Sequence, residues 1–311
     1  MRHPEDRGEA GRYERERERQ APSRRVLAGE VEIVVAGSAG YCYGVERALQ
    51  IAEEAAQGAA KPIYTLGPII HNPSVVRRLE ERGIVPVDSL DAIAEGTVIV
   101  RTHGVPPDVI AAAQARGLRV VDATCPFVTI AQRKAATLHA EGYVAIILGE
   151  RDHPEVAGLT ACAGEAAIVV DDADALDVEA LVGKRVGVVV QTTQTRKNLA
   201  AVAAAVAPVA RETLVFNTIC DATEKRQNAA RDLARTVDVV VVVGGRNSAN
   251  TMRLAALCRE IQARTHHIER AAEVHVEWLA GARRIGVTAG ASTPDEEIDA
   301  TVAAIQALLT G

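Results

Sequence analysis

Aromatic residues are scarce in this chain: Phe, Trp and Tyr make up 3% of 311 residues, and there are only two methionines. With 48% of residues hydrophobic, a core built from Val, Ala, Leu and Ile is expected. Long apolar runs are missing as well. None reaches the roughly 18–20 residues that cross a bilayer, and no secretory signal precedes the first expected strand. No membrane span is therefore expected. The five cysteines form an odd, widely scattered set, which argues against a disulfide framework. Free or metal-bound thiols in a reducing cytoplasm are expected instead. Two nucleotide loops are also lacking: no GxGxxG follows the first strand and no GxxxxGK[ST] occurs, so neither a dinucleotide fold nor a P-loop is supported.

The charge is uneven. Residues 1–25 carry eight Arg against six acidic residues, leaving 27 basic and 35 acidic residues for the rest, about −8. An acidic body argues against a nucleic-acid groove, which needs clustered Lys and Arg. Alternating Arg and Glu without apolar periodicity marks residues 1–30 as a disordered, solvated tail.

After the tail one pattern recurs. "VEIVVAGSAGYCYGVERALQIAEEAA" is an apolar strand, a turn and a helix, and the same order returns in "VAIILGERDHPEVAGLTA", "RVGVVVQTTQTRKNLAAVAAAV", "VDVVVVVGGRNSANTMRLAALC" and "RRIGVTAGASTPDEEIDATVAAIQALL". Continuous β-branched runs indicate strands buried on both faces, hence parallel sheets covered by helices. The expected fold is α/β, with three pseudo-equivalent domains at 31–124, 125–212 and 213–311, the last ending in a helix. Open parallel sheets bind ligands at the carboxyl ends of their strands, where helix N–H groups favour anions.

Cys42, Cys125 and Cys220 each occupy a strand-end turn, 83 and 95 residues apart, whereas Cys162 and Cys258 lie within expected helices and read as small core residues. One cysteine per domain in the same position suggests a metal centre at a domain junction. Three thiolates suit a [4Fe–4S] cluster with one open iron that can act as a Lewis acid, whereas structural zinc wants a fourth protein ligand. On spacing alone, three buried thiols at strand ends remain the simpler reading. The other strand-end turns carry His71 and Asn72, His103, His153 and Glu155, Thr192 and Thr193, Ser248 and Asn250, and Ser292. Several of these could be ordinary helix caps. Together they resemble a diphosphate pocket with a proton donor, holding its anion with neutral groups and dipoles rather than Lys.

The motifs "GYCYGVERA", "HNPSVV", "THGV", "DATCPFVT", "DHPEV", "QTT", "VVVGGRNSAN" and "VTAGAST" together resemble the LytB family of 4-hydroxy-3-methylbut-2-enyl diphosphate reductases, from about residue 32 to 295. The resemblance implies three α/β domains around a central [4Fe–4S] cluster and the last step of the non-mevalonate isoprenoid pathway. In that step the allylic hydroxyl leaves as water and isopentenyl and dimethylallyl diphosphates form. It also implies that Cys42, Cys125 and Cys220 hold the cluster, and that His71, His103, Ser248, Asn250 and Ser292 hold the diphosphate with His153 beside it. Glu155 would feed protons and Thr192 would orient the hydroxyl. An electron donor such as ferredoxin or flavodoxin would be the partner.

The chain departs from the family pattern at Ala249, where a second consecutive serine is usual, and in its Arg/Glu tail. The lost hydroxyl contact is worth about 1 kcal/mol or somewhat more. Two other readings are weighed. A quinolinate-synthase-like dehydratase would also place one cysteine in each of three domains, but the "HPEV", "QTT" and "TAGAS" turns fit it poorly. A cluster-bearing paralogue acting as a sensor or on another substrate is suggested by Ala249 alone and opposed by Glu155 and Thr192.

Overall fold

Five consecutive valines, Val239–Val243, are all fully buried. A β-branched run with no polar face suits a strand covered on both sides, and this one is central to a sheet. The computed structural model describes residues 23–58 and 60–311; residues 1–22 of the tail expected over 1–30 lie outside them. β1 (Arg24–Ala28) and β2 (Val31–Val35) pair antiparallel, and β2 continues in parallel to β13 (Arg284–Ala289), then β11 (Val239–Val243), then β12 (Thr265–Ile268). Arg284 and Glu32 stand directly opposite in the β13–β2 ladder, and their side chains pair at 2.7 Å. Such a cross-strand ion pair reinforces the register on which the buried faces depend.

The other two sheets are wholly parallel. β3 (Ile63–Leu66), β4 (Ile84–Val87), β5 (Thr97–Val100) and β6 (Arg119–Asp122) lie in the order β4-β3-β5-β6. β7 (Val144–Leu148), β8 (Ile168–Val170), β9 (Arg185–Val190) and β10 (Glu212–Phe216) lie in the order β8-β7-β9-β10. In both, the second strand flanks the first and the third and fourth follow on the other side. Helix Pro126–Ala140 packs against the second of these sheets through Ala131, Ala135 and Leu138. The approach is close enough that a Cβ on Gly187 of β9 would lie 2.2 Å from Leu138, so only glycine fits there. Fully burying a side chain such as Leu138 contributes roughly 1.5–3 kcal/mol.

The remaining sheet follows the same plan if β11, β12 and β13 are its first three strands and β2 takes the fourth place, with β1 added at the edge. This divides the chain differently from the boundaries expected at 30/31, 124/125 and 212/213. Residues 24–28, expected in the tail, form β1. β2, expected in the first domain, belongs to the sheet built mostly from the C-terminal third, and β10 closes the second sheet. Apolar patterning identifies a strand but not its neighbours, so a strand borrowed from far along the chain is invisible to it. By compactness the described chain forms two units: residues up to 40 with 225–244 and 254–311, and residues 41–224 with 245–253. No helix among the described residues is long and apolar enough to cross a membrane.

Candidate active site

The strand plan sorts the polar turns. First strands lead to His71 (after β3), His153 (after β7) and Ser248 (after β11), and third strands to His103, Thr192 and Ser292. Fourth strands lead to Cys125 (after β6), Cys220 (after β10) and Cys42 (after β2). Ser292 and β13 belong to the unit that contains residues 254–311; the other residues of this set all fall in the unit of residues 41–224 and 245–253.

Each cysteine of the set immediately precedes a helix: Tyr43–Gly58, Pro126–Ala140 and Asp221–Ala234. Their carbonyls take the first helical bonds, Cys42 from Val45 and Glu46, Cys125 from Thr129 and Cys220 from Glu224. A sulfur at a helix start faces unpaired N–H groups and the positive end of the dipole, which favour thiolate. The Cys220 Sγ receives the Thr223 N–H at 3.4 Å and meets the Thr223 hydroxyl at 3.1 Å. Opposing forces are also present. Burial, then the neighbouring Cys42 and Cys220, push the Cys125 thiol far up, with the Phe127 and Val128 amides pulling it down. Burial raises Cys220 to about 11. Cys125 and Cys220, pushed up by burial and by neighbouring thiols yet met by N–H donors, suit a shared cation. A Cβ on Gly44 would lie 2.6 Å from the Cys125 Sγ and 4.0 Å from that of Cys42, so glycine keeps the space around the sulfurs open. Arg47 further ties the first of these helices to the Cys125 turn through the Thr124 carbonyl at 3.1 Å.

Glu155 is 1% exposed, and its charge acts on the Cys220 thiol. It opens helix Pro154–Ala163, and its carboxylate is held by Thr192, whose N–H donates to Oε1 at 2.6 Å and whose hydroxyl meets Oε2 at 2.8 Å. The Thr192 carbonyl in turn accepts the Cys220 N–H at 3.1 Å. Burial raises the Glu155 pKa to about 7 despite the Thr192 bonds and the charge of Arg253. This carboxyl can carry a proton near neutrality.

The three imidazoles cluster, with ring centroids of His71 and His103 4.3 Å apart and His153 5.6 and 5.2 Å from them. Burial lowers His71 to about 4 and His153 to about 3, and puts His103 well below its ordinary value. The rings are therefore neutral at physiological pH. His153 Nδ1 accepts the Glu155 N–H at 3.1 Å, so its Nε2 carries the hydrogen. Both nitrogens of His71, Nδ1 of His103 and Nδ2 of Asn250 are buried without a protein partner. Buried polar atoms without partners are costly, and a bound group could satisfy them. Nitrogens from the three rings lie within 4.8 Å of one another, a spacing that could also hold a metal ion. The positive charges of Arg101 and Arg253 act on this group, which favours an anion over a cation.

Those two arginines were not among the residues expected from sequence, which pointed to neutral donors alone. Arg253 had a readable signal, since it lies one helical turn after Asn250; Arg101 had only its place two residues before His103. The ordinary roles also hold. Asn72 Oδ1 caps helix Pro73–Glu80 by accepting the Ser74 and Val75 N–H groups, and Ser248 Oγ accepts the Thr251 N–H at 3.4 Å. Ala249 is 2% exposed at its helix start. Cys258 is buried in the core with Leu254 and Val240, and Cys162 packs half-buried against another apolar cluster.

Fold and site together define an α/β protein with thiols at helix starts, a buried acid and a cluster of neutral imidazoles. Residues 33–306 match the family described as LytB protein, and the chain belongs to that family. It is 49% identical over 269 residues to 4-hydroxy-3-methylbut-2-enyl diphosphate reductase of Pelobacter propionicus, covering 86% of this chain and 95% of that one. The Aquifex aeolicus protein of the same name is 43% identical over 285 residues, covering 90% and 98%. A solved structure of (E)-4-hydroxy-3-methyl-but-2-enyl diphosphate reductase, the terminal enzyme of the non-mevalonate pathway, matches with a TM-score of 0.66 and 44% identity, over 88% of this chain and 99% of that one. The reductase structure from Plasmodium falciparum matches with a TM-score of 0.80 and 26% identity, covering 87% and 86%.

Proposed function

We propose that the chain reductively dehydroxylates 4-hydroxy-3-methylbut-2-enyl diphosphate: the substrate, two electrons and two protons give isopentenyl or dimethylallyl diphosphate and water. The observation that carries this reading is the convergence of three thiols at helix starts, with Cys220 next to Glu155, a buried acid held by Thr192. Cys42, Cys125 and Cys220 fit a [4Fe–4S] cluster, and Gly44 leaves space around their sulfurs. When bound, such a cluster supplies the electrons and a Lewis-acidic iron. The family resemblance implies that the electrons come from a separate donor such as ferredoxin or flavodoxin.

The protein's own groups supply binding and protons. The N–H groups of His71, His103 and His153, with Asn250 and Ser248, receive the diphosphate. Neutral imidazoles donate hydrogen bonds without titrating, and Arg101 and Arg253 add positive potential. Hydroxide is a poor leaving group, so a proton must arrive as the C–O bond breaks. Glu155, half-protonated near pH 7, is the donor; the Thr192 hydroxyl on its Oε2 orients the leaving oxygen and relays the proton. The test is anaerobic purification followed by assay with a strong artificial reductant. A brown, iron-bearing protein that converts the hydroxylated diphosphate to the two products is expected. An iron-replete protein that binds the substrate without converting it would overturn the reading.

A further inference from the structure

Arg253 is 14% exposed at its side chain and has both ends of its guanidinium engaged. Nη1 donates to the Thr193 hydroxyl at 2.9 Å, and Nη2 pairs with Glu150 Oε1 at 2.8 Å. The arginine stands on helix Ala249–Ile261, one turn beyond Asn250 and on the same side of the helix. Its two anchors come from a different sheet. Glu150 follows β7, and Thr193 follows β9. Each anchor is bonded onward. The Glu150 N–H donates to Gln191 Oε1 at 3.0 Å, and the Glu150 carbonyl accepts the His153 N–H at 2.9 Å. Thr193 is the neighbour of Thr192, which grips Glu155 through its N–H and hydroxyl. One planar side chain thus spans the helix start with Ser248 and Asn250, the turn with His153, and the turn that aims the acid.

We propose that Arg253 is a positioning residue that fixes the diphosphate-binding helix start against the turns carrying Glu155 and His153. Thr193 and Glu150 take one donor from each end of the guanidinium and so fix its plane. Its fixed fork sets two distances at once, which a lysine ammonium cannot do. The role of the acid rests on the function proposed above, whereas the tie itself does not. Misplacement of about 1 Å at a distance from the chemistry costs on the order of 10²-fold in rate.

The experiment is a double-mutant cycle on the iron-loaded protein, comparing Arg253→Met, Thr193→Val and the double variant, with Glu150→Gln cutting the other arm. Arg253→Met is expected to lower kcat/KM on the order of 10²-fold, with kcat falling and KM rising. The double variant should lose little more than Arg253→Met alone, since both changes break one bond. Arg253→Lys should recover only part. Calorimetric titration with inorganic diphosphate gives a second readout that needs no turnover, and the affinity of Arg253→Met should fall at least about tenfold. Additive losses in the double variant would overturn the proposal. So would an Arg253→Met protein that melts earlier but keeps kcat/KM and diphosphate affinity. If Arg253→Met does not fold, Thr193→Val and Glu150→Gln must each weaken diphosphate binding, and unchanged affinity in both overturns it. If the parent protein binds inorganic diphosphate but turns over no substrate, the functional reading fails and the cycle on affinity still decides the tie.

Discussion

A carboxyl group with a pKa of about 7 is divided between its two forms near neutrality, and Glu155 is held there by burial. Its folded value is raised, so only the protonated form, present below about pH 7, can deliver a proton; turnover should fall as pH rises through that value. Glu155→Gln keeps the size of the side chain but has no acidic proton. Turnover is expected to drop at least about 10²-fold with iron content and folding unchanged, and near-normal turnover would leave Glu155 only its place in the first turn of a helix. The imidazoles have the opposite sign. His71 and His153 are depressed to about 4 and about 3, so the stability tied to their neutral forms is complete above about pH 6.5 and is lost as pH falls toward those values. The melting temperature should therefore decline from pH 7 to pH 4, and His71→Gln should flatten that slope; an equally steep slope would rule His71 out as a contributor. Gly44 offers a third test. Gly44→Ala places a methyl group 2.6 Å from the Cys125 Sγ, so iron retention should fall sharply although every proposed ligand remains.

Five cysteines with the same side chain divide by their place in a helix. Cys42, Cys125 and Cys220 each stand just before one, whereas Cys162 and Cys258 lie within Pro154–Ala163 and Ala249–Ile261. Replacing Cys220 with Ser should strip most iron from anaerobically purified protein. Replacing Cys258 with Ser should leave iron near normal and cost stability instead, because a hydroxyl would enter an apolar core. Equal iron loss from both would sink the assignment. This division was legible in the sequence, because a strand, a turn and a helix start leave a pattern in composition. The strand-end placement of His71, His103, His153, Glu155 and Thr192 was legible for the same reason. The bond between Thr192 and Glu155 was not, because it joins residues 37 positions apart and depends on β7 and β9 being neighbours. Arg101 and Arg253 were missed for a related reason. In sequence they look like ordinary surface charges, and only burial makes them part of the site.

The two wholly parallel sheets share one strand order, and the third attains it only by taking its fourth strand from the start of the chain. That arrangement could not be read from residue patterns, since β2 looks like the first strand of a first domain. It means that each set of four strands ends in the same sequel: a cysteine and then a helix, at Cys125, at Cys220 and at Cys42. Read from Ala60 through Gly311 and on from Arg24 to Gly58, the chain repeats one order three times: four strands, a cysteine and a helix. A circularly permuted protein that begins at Ala60 and joins Gly311 to Arg24 would restore that order. The join is short, because helix Asp295–Thr310 lies along β1, with Asp299 paired to Arg24 at 2.5 Å and Gln306 donating to the Leu27 carbonyl at 3.2 Å. From Asp299 to Gly311 the helix advances about 18 Å, which a flexible linker of about eight to ten residues spans. The permuted protein should fold cooperatively and take up iron like the parent. Failure to do so, with several linker lengths tried, would show that the hairpin of β1 and β2 must be made before the rest of its sheet. Success would show that the sheet containing β2 forms its strand order whether its fourth strand comes before or after the other three along the chain.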